Sequence, residues 1–175
     1  MCLKLLNESI KRQNEIMKYC ILSNLVFTSL IQKDIKSGFD YLNRIDERFT
    51  DDLDLRMYKC LLYYFGHEYT KSKECIASFF RDVKNSKYHE NFIRALKYMM
   101  DNKPMKAIAN FETCYQIALK NGQYDRAIFV LKQLNELYLD YGLQNKLKKV
   151  KELQENFYKM SYANLIIEDI ELKLN

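Results

Sequence analysis

Apolar residues recur along the chain at intervals of three and four, which is the spacing of one face of an α-helix. This pattern is interrupted about every twenty residues. It predicts a first helix over Leu3–Tyr19 that runs on toward Gln32, followed by Phe39–Arg48, Asp52–Phe65, Lys71–Val83, Glu90–Met100, Met105–Lys120, Tyr124–Tyr141, Asn145–Lys159 and Tyr162–Leu174. Because the predicted connections are short, neighbouring helices are expected to be antiparallel.

The interruptions contain residues that start and stop helices. The segment Thr50-Asp51-Asp52 offers side-chain oxygens that can cap the next helix. Pro104 falls near a first helical position, where its missing N–H costs nothing. Gly122 and Gly142 are typical helix stops, since glycine accepts the left-handed conformation. Ser37-Gly38 is predicted to separate the first two helices.

The composition favours an all-α protein. Only four glycines and one proline occur in 175 residues, whereas an average chain of this length has roughly 20 of them. Strands and tight turns need these residues, while helices joined by short loops do not. With 48% hydrophobic and 29% charged residues, the chain is expected to fold as a single domain over residues 1–175.

Charge and cysteine usage limit the partners and the location. The net charge of +5 is modest and is spread among 28 basic and 23 acidic residues, so direct nucleic-acid binding is not expected. No apolar run is long enough to span a membrane, and the first residues contain no apolar core of the kind that would lead us to expect a signal peptide. Its five scattered cysteines have no C-x-x-C pair, which favours reduced thiols and a cytoplasmic location.

The stretch Tyr88–Phe111 carries a repeat pattern. It places Ala95, Tyr98, Ala107 and Phe111 at the small, aromatic, small and aromatic positions of a tetratricopeptide (TPR) repeat. A small residue is needed on the second helix because the two helices cross closely there, and a large residue one turn later fills the adjoining space. The pattern predicts helical hairpins stacked into a TPR-like right-handed α-solenoid.

Weaker copies of the pattern precede and follow this stretch. The earlier small–large pairs are Cys75 with Phe79 and, less clearly, Gly38 with Leu42. The last hairpin is degenerate, since Asn135 and Leu147 replace a glycine and an alanine of the consensus, although Leu134, Tyr138 and Gly142 match it. About four hairpins and a final capping or dimerisation helix at 162–174 are therefore predicted. The repeat phase, meaning which neighbouring helices form one hairpin, stays open. Gly122–Ile128 also resembles the turn inside a hairpin, which would shift the phase by one helix.

The segment MKAIANFETCYQIALKNGQYDRAIFVLKQLNELYLDYG (residues 105–142) resembles the long-helix TPR variety. It is similar to the sensor domains of peptide-responsive regulators in Gram-positive bacteria, the Rap, PlcR and Rgg group. That resemblance implies a concave groove for a short extended peptide and a homodimer formed through C-terminal helices. Many such regulators also carry an N-terminal helix-turn-helix domain, which this sequence does not show, so the chain is either a fragment or part of a protein that works without DNA.

The preferred phase assigns residues to two surfaces. The residues predicted to face the peptide in the groove are Tyr64, His67, His89, Phe92, Leu96, Met99, Phe129, Lys132, Glu136 and Asp140. Lys132 and Glu136 are four positions apart and could instead pair with each other. The last helix carries apolar residues on more than one face, which predicts a dimer interface at Leu165, Ile166, Ile170 and Leu174.

Chemistry-bearing residues show no catalytic or metal-binding pattern. Cys60 and His67 lie two helical turns apart, but no second ligand pair follows as a zinc site requires. The lysines at positions 146, 148, 149 and 151 cannot share one helical face, which favours a solvated surface over a phosphate site. No cofactor, metal or enzymatic activity is expected. The predicted function is peptide or protein binding, as the sensor or regulatory part of a bacterial transcriptional regulator, with a structural or oligomerisation scaffold without a peptide ligand as the alternative.

Overall fold

The computed structural model describes residues 15–49, 51–82, 86–153 and 155. Within these residues all regular structure is helical and no strand occurs, which confirms the all-α prediction. The helices are α1 (Glu15–Gln32), α2 (Ile35–Leu42), α3 (Leu53–Phe65), α4 (Tyr69–Asp82), α5 (Lys87–Met100), α6 (Pro104–Lys120), α7 (Tyr124–Asp140) and α8, whose described part covers residues 144–153. A short 3₁₀ turn at Glu47–Phe49 lies between α2 and α3.

The chain divides into two compact units between Lys103 and Pro104. The first unit contains α1 to α5 and the second contains α6 to α8. The expectation of one domain over residues 1–175 stays a prediction, and each unit is described by itself below.

Four helix ends lie where the sequence placed a capping or stop residue. The Asp52 carboxylate accepts hydrogen bonds from the backbone N–H groups of Asp54 and Leu55 at 2.9 and 3.1 Å, which caps α3. Pro104 is the first residue of α6. Gly122 and Gly142 follow α6 and α7 with φ angles of 66° and 65°. These two glycines therefore stop their helices in the left-handed conformation, as predicted.

The predicted break at Ser37-Gly38 is wrong, and so are the bounds Phe39–Arg48. The turn lies earlier, at Lys33 with a φ of 58°, and Asp34 caps α2 by accepting from the Ser37 N–H at 3.1 Å. Gly38 is a buried residue inside α2. Glycine occupies this position because helices pack closely there, and not because the chain turns.

The first unit is a layered array of adjacent helices. Helix α1 packs against α2 and α3, and α2 also contacts α3. The arrangement recurs one hairpin later, where α3 packs against α4 and α5, and α4 contacts α5. The fully buried side chains between these helices include Leu22, Val26, Met57, Leu61, Leu62, Phe79, Phe92 and Ile93.

The second unit is built on the pairing of α6 with α7, which pack along each other. Three alanines without exposed surface, Ala107, Ala118 and Ala127, lie on these two helices. The turn at residues 121–123 joins the pair, and its short length makes the two helices antiparallel. The sequence predicts antiparallel neighbours at every short connection, so this turn agrees with both repeat phases.

Candidate functional site

A cavity of about 430 Å³ lies among α2, α3 and α4 in the first unit; we call it the first-unit cavity. Its volume falls in the range of about 300–1,000 Å³ that is usual for ligand pockets. The apolar part of its wall is formed by Phe39, Leu42, Ile45 and Leu55. Polar and charged side chains from α3 and α4 complete the wall, so the cavity combines apolar surface with a few groups that can orient a ligand.

Positive charge is concentrated on the α3 side of the first-unit cavity. Arg56 and Lys59 both line it, and none of the described residues in its wall is an aspartate or a glutamate. The Arg56 guanidinium donates to the carbonyl oxygen of Ser78 at 3.2 Å and lies 5.5 Å from the centroid of the Phe79 ring. These contacts hold Arg56 in place, while Lys59 is exposed.

Two aromatic rings form one edge of the cavity. The centroids of the Phe39 and Tyr63 rings are 5.0 Å apart, with a tilt of 50° between the ring planes. The Lys71 ammonium lies 5.5 Å from the centroid of the Tyr63 ring, within the range of a cation–π contact. Helices α2 and α3 therefore present a fixed aromatic pair beside the two cations.

Two cysteine thiols meet where α3 faces α4. Cys60 is buried, whereas Cys75 is half-buried and lines the first-unit cavity. The thiols are hydrogen-bonded to each other; this bond lowers the pKa of Cys75 from its ordinary value, and the positive charges of Lys59 and Arg56 act in the same direction. The same bond, together with burial, raises the pKa of Cys60. Negative charge is therefore favoured on Cys75, which is the thiol that contacts the cavity.

A serine–histidine–aspartate chain joins the starts of α3 and α5. His89 Nδ1 lies 2.6 Å from Ser86 Oγ, and His89 Nε2 lies 2.9 Å from Asp54 Oδ1. Because a carboxylate only accepts, a neutral His89 ring donates from Nε2 to Asp54 and accepts at Nδ1 from Ser86. The triad of serine proteases uses the ring nitrogens the other way round, with serine at Nε2. Here the buried His89 links two helix starts.

The second unit has a separate cavity of about 450 Å³ among α6, α7 and α8. At its wall Glu112 accepts hydrogen bonds from the Tyr138 hydroxyl at 2.6 Å and from the Lys146 ammonium at 2.7 Å. Burial raises the pKa of Glu112, but these two donors outweigh it and lower the pKa below its ordinary value. Lys146 is thus paired within the protein, and the lysines at 148, 149 and 151 are exposed.

The predicted groove residues of the first unit differ widely in exposure. His89, Phe92 and Leu96 are buried, with 6%, 0% and 2% of their surfaces exposed. Met99 is half-buried. The side chains of the three buried residues pack in the core, so a role for them in contacting a peptide stays a prediction that requires them to become accessible.

Tyr64 and His67 come together around one further residue, Tyr69. The His67 Nδ1 atom lies 3.0 Å from the Tyr69 hydroxyl, and the Tyr64 and Tyr69 ring centroids are 5.9 Å apart. His67 is exposed and adopts a φ of 60° in the turn between α3 and α4. This cluster lies at one end of the α3–α4 hairpin.

The remaining predicted residues belong to the second unit or lie outside the described residues. Phe129 is buried, Lys132 and Glu136 are half-buried, and Asp140 is exposed. The predicted dimer residues lie outside the described part of the chain; they are Leu165, Ile166, Ile170 and Leu174.

The sequence pattern assigned none of the cavity residues to a binding site, although it singled out Cys75 and Leu42 as packing residues of helical hairpins. Arg56 and Lys59 are three positions apart on one helix, which indicates a shared basic face. Nothing in the sequence indicates that this face borders a cavity or that Cys60 and Cys75 meet, because both depend on how α3 packs against α4.

No protein-family model, curated protein or solved structure matches the chain. None of the helices in the described residues is both long and apolar enough to cross a membrane. Across residues 15–49, 51–82 and 86–153, no three His, Cys, Asp or Glu side chains gather closely enough to hold a metal ion.

Proposed function

We propose that this protein is a peptide-binding helical repeat module, and that the first-unit cavity holds an extended peptide segment with an acidic residue beside an apolar one. The observation that carries the proposal is the composition of the cavity wall. It combines apolar and aromatic side chains with two cations, Arg56 and Lys59. An apolar side chain would be buried against Phe39 and Leu42, and a neighbouring carboxylate would meet the cations.

Preorganisation supports this assignment. The Ser78 carbonyl and the Phe79 ring already fix the Arg56 guanidinium. A fixed cation loses little side-chain freedom when a carboxylate binds, so more of the interaction energy contributes to affinity. Exposed Lys59 adds attraction at the rim, where charges mainly accelerate association and select partners.

The packing of the first unit supports a TPR-like arrangement. In a stack of hairpins the first helix of each hairpin packs against its own partner and against the first helix of the next hairpin. The contacts of α1 with α2 and α3, and of α3 with α4 and α5, have this form. We therefore retain the right-handed solenoid as part of the proposal. The narrower role, the sensor part of a bacterial regulator that forms homodimers, rests on the family resemblance.

Two synthetic peptides of equal length test the proposal. One carries Glu beside Leu or Phe, and the other has Lys in place of Glu. Fluorescence anisotropy should show binding of the acidic peptide only. Lys59→Glu should weaken that binding by about fivefold, the scale of an exposed charge pair.

Lys87→Glu is the matched control, since Lys87 is also exposed on a helix but does not line the cavity. It should bind the acidic peptide as the unaltered protein does. If both peptides bind equally, or if Lys59→Glu and Lys87→Glu lose the same affinity for the acidic peptide, the cavity does not select acidic segments.

A further inference from the structure

Helices α3 and α4 face each other in a fixed antiparallel register. Arg56 donates to the Ser78 carbonyl oxygen at 3.2 Å, and the Ser72 hydroxyl donates to the Cys60 carbonyl oxygen at 3.0 Å. Cys60 lies one turn after Arg56, and Cys75 lies one turn after Ser72. These two hydrogen bonds therefore fix Cys60 opposite Cys75, where the thiols are hydrogen-bonded.

The two thiols differ in access and in electrostatic surroundings. Cys60 has 1% of its surface exposed, whereas Cys75 is half-buried at the wall of the first-unit cavity. Lys59 and Arg56 of α3 favour a negative charge on Cys75, while Glu74 of α4 opposes it. A partially accessible thiol beside cations and a second thiol is the arrangement of reactive rather than structural cysteines.

We propose that Cys75 and Cys60 form a thiol–disulfide exchange site that takes small disulfides bearing carboxylate groups. Cys75 is the attacking thiol and Cys60 is the resolving thiol. The carboxylates of the incoming disulfide meet Arg56 and Lys59, which line the same cavity. This inference does not rest on peptide binding, because it uses the thiol pair and the two cations and requires no contact with a peptide.

The reaction proceeds in two exchange steps. The Cys75 thiolate attacks one sulfur of the small disulfide, forms a mixed disulfide and releases the other half as a thiolate. Cys60 then attacks the Cys75 sulfur, a Cys60–Cys75 disulfide forms, and the second half leaves as a thiolate. The Cys60 proton and the proton initially lost from Cys75 end on the two released thiols. The protein loses two hydrogens, and the small disulfide is reduced to two thiols.

Oxidised glutathione is the probe. The full chain is incubated with it near neutral pH, quenched by alkylation and mapped by peptide mass spectrometry. The expected product is a Cys60–Cys75 disulfide that has lost two hydrogens. It should form several-fold faster than any glutathione adduct on Cys20, an exposed thiol on α1. Cys60→Ala should accumulate a stable glutathione adduct on Cys75, because the resolving thiol is absent.

A cationic disulfide, cystamine, distinguishes the role of the cavity charges. The rate at Cys75 is divided by the rate of the same probe at Cys20. This ratio should be higher for oxidised glutathione than for cystamine. The proposal is overturned if Cys75 reacts no faster than Cys20, or if the mixed disulfide persists in the unaltered protein with Cys60 reduced. If this ratio is the same for oxidised glutathione and for cystamine, the site does not prefer disulfides that bear carboxylate groups. The outcomes that overturn the proposal are all measured on the unaltered chain, so none of them depends on whether the Cys60→Ala variant folds.

Discussion

Gly38 of α2 lies directly against the buried side chain of Leu62 of α3. A Cβ atom on Gly38 would overlap one methyl group of Leu62 and would lie 3.5 Å from the Cβ of Ser29 on α1. Leu62 has no exposed surface, so its methyl group has little room to move. Gly38 therefore allows three helices of the first unit to meet closely.

Gly38→Ala should lower the free energy of unfolding by about 1–3 kcal/mol, because overpacking a filled core costs that much. At a helix position with free space, the same change would instead stabilise by about 0.5–1 kcal/mol. Urea denaturation of the variant and the unaltered protein measures the difference.

A double-mutant cycle with Leu62→Ala isolates the contact. Leu62→Ala alone should cost about 2–5 kcal/mol, because it leaves a cavity in the core. In that background Gly38→Ala should become neutral or stabilising, since the overlapping methyl group is gone. If Gly38→Ala lowers the free energy of unfolding equally in the unaltered protein and in the Leu62→Ala variant, the contact with Leu62 is not the reason for glycine at position 38.

His89→Asn should destabilise the protein by about 1–3 kcal/mol, the usual cost of leaving a buried polar partner unsatisfied. The shorter side chain cannot bridge Ser86 Oγ and Asp54 Oδ1, which lie on opposite sides of the His89 ring. His67→Asn is the control, because His67 is exposed and asparagine accepts its left-handed conformation. Similar unfolding free energies for the two variants would argue against a tether at His89.

Glu112 should make the stability of the second unit depend on pH. Its pKa is lowered in the folded state by Lys146 and Tyr138, so its contribution is complete above the ordinary value of 4.5 and is lost as pH falls through the lower folded value. Glu112→Gln should reduce the free energy of unfolding at neutral pH. Below about pH 4.5 the free energy of unfolding of this variant should fall less steeply than that of the unaltered protein. Urea denaturation across this range, followed by a probe in α6 or α7, measures both effects. An unchanged acid decline in Glu112→Gln would contradict the assignment.

Local signals predicted much of the secondary structure. Asp52, Pro104, Gly122 and Gly142 define their helix ends through local hydrogen bonds and backbone preferences, which can be identified from neighbouring residues. The break predicted at Gly38 was wrong because this glycine serves the packing of α2 against other helices and does not form a turn. A glycine that permits close helix packing resembles, in sequence, a glycine that ends a helix.

The candidate site was much harder to predict. Apolar periodicity identifies the side chains on a helix face but does not separate core from groove, and Phe92 and Phe129 proved to be buried. Arg56 reaches Ser78 across 22 positions, and Cys60 meets Cys75 across 15. Such contacts depend on the register between α3 and α4, and no short-range pattern in the sequence specifies it.

A peptide bound in the first-unit cavity should protect Cys75 from alkylation. Cys75 lines the cavity, whereas exposed Cys20 lies on α1 and serves as an internal reference. The reduced protein is treated with iodoacetamide, with and without the acidic peptide, and each cysteine is quantified by mass spectrometry. The peptide should slow the alkylation of Cys75 and leave the rate at Cys20 unchanged. If the peptide binds while Cys75 reacts at its original rate, the peptide does not occupy the first-unit cavity.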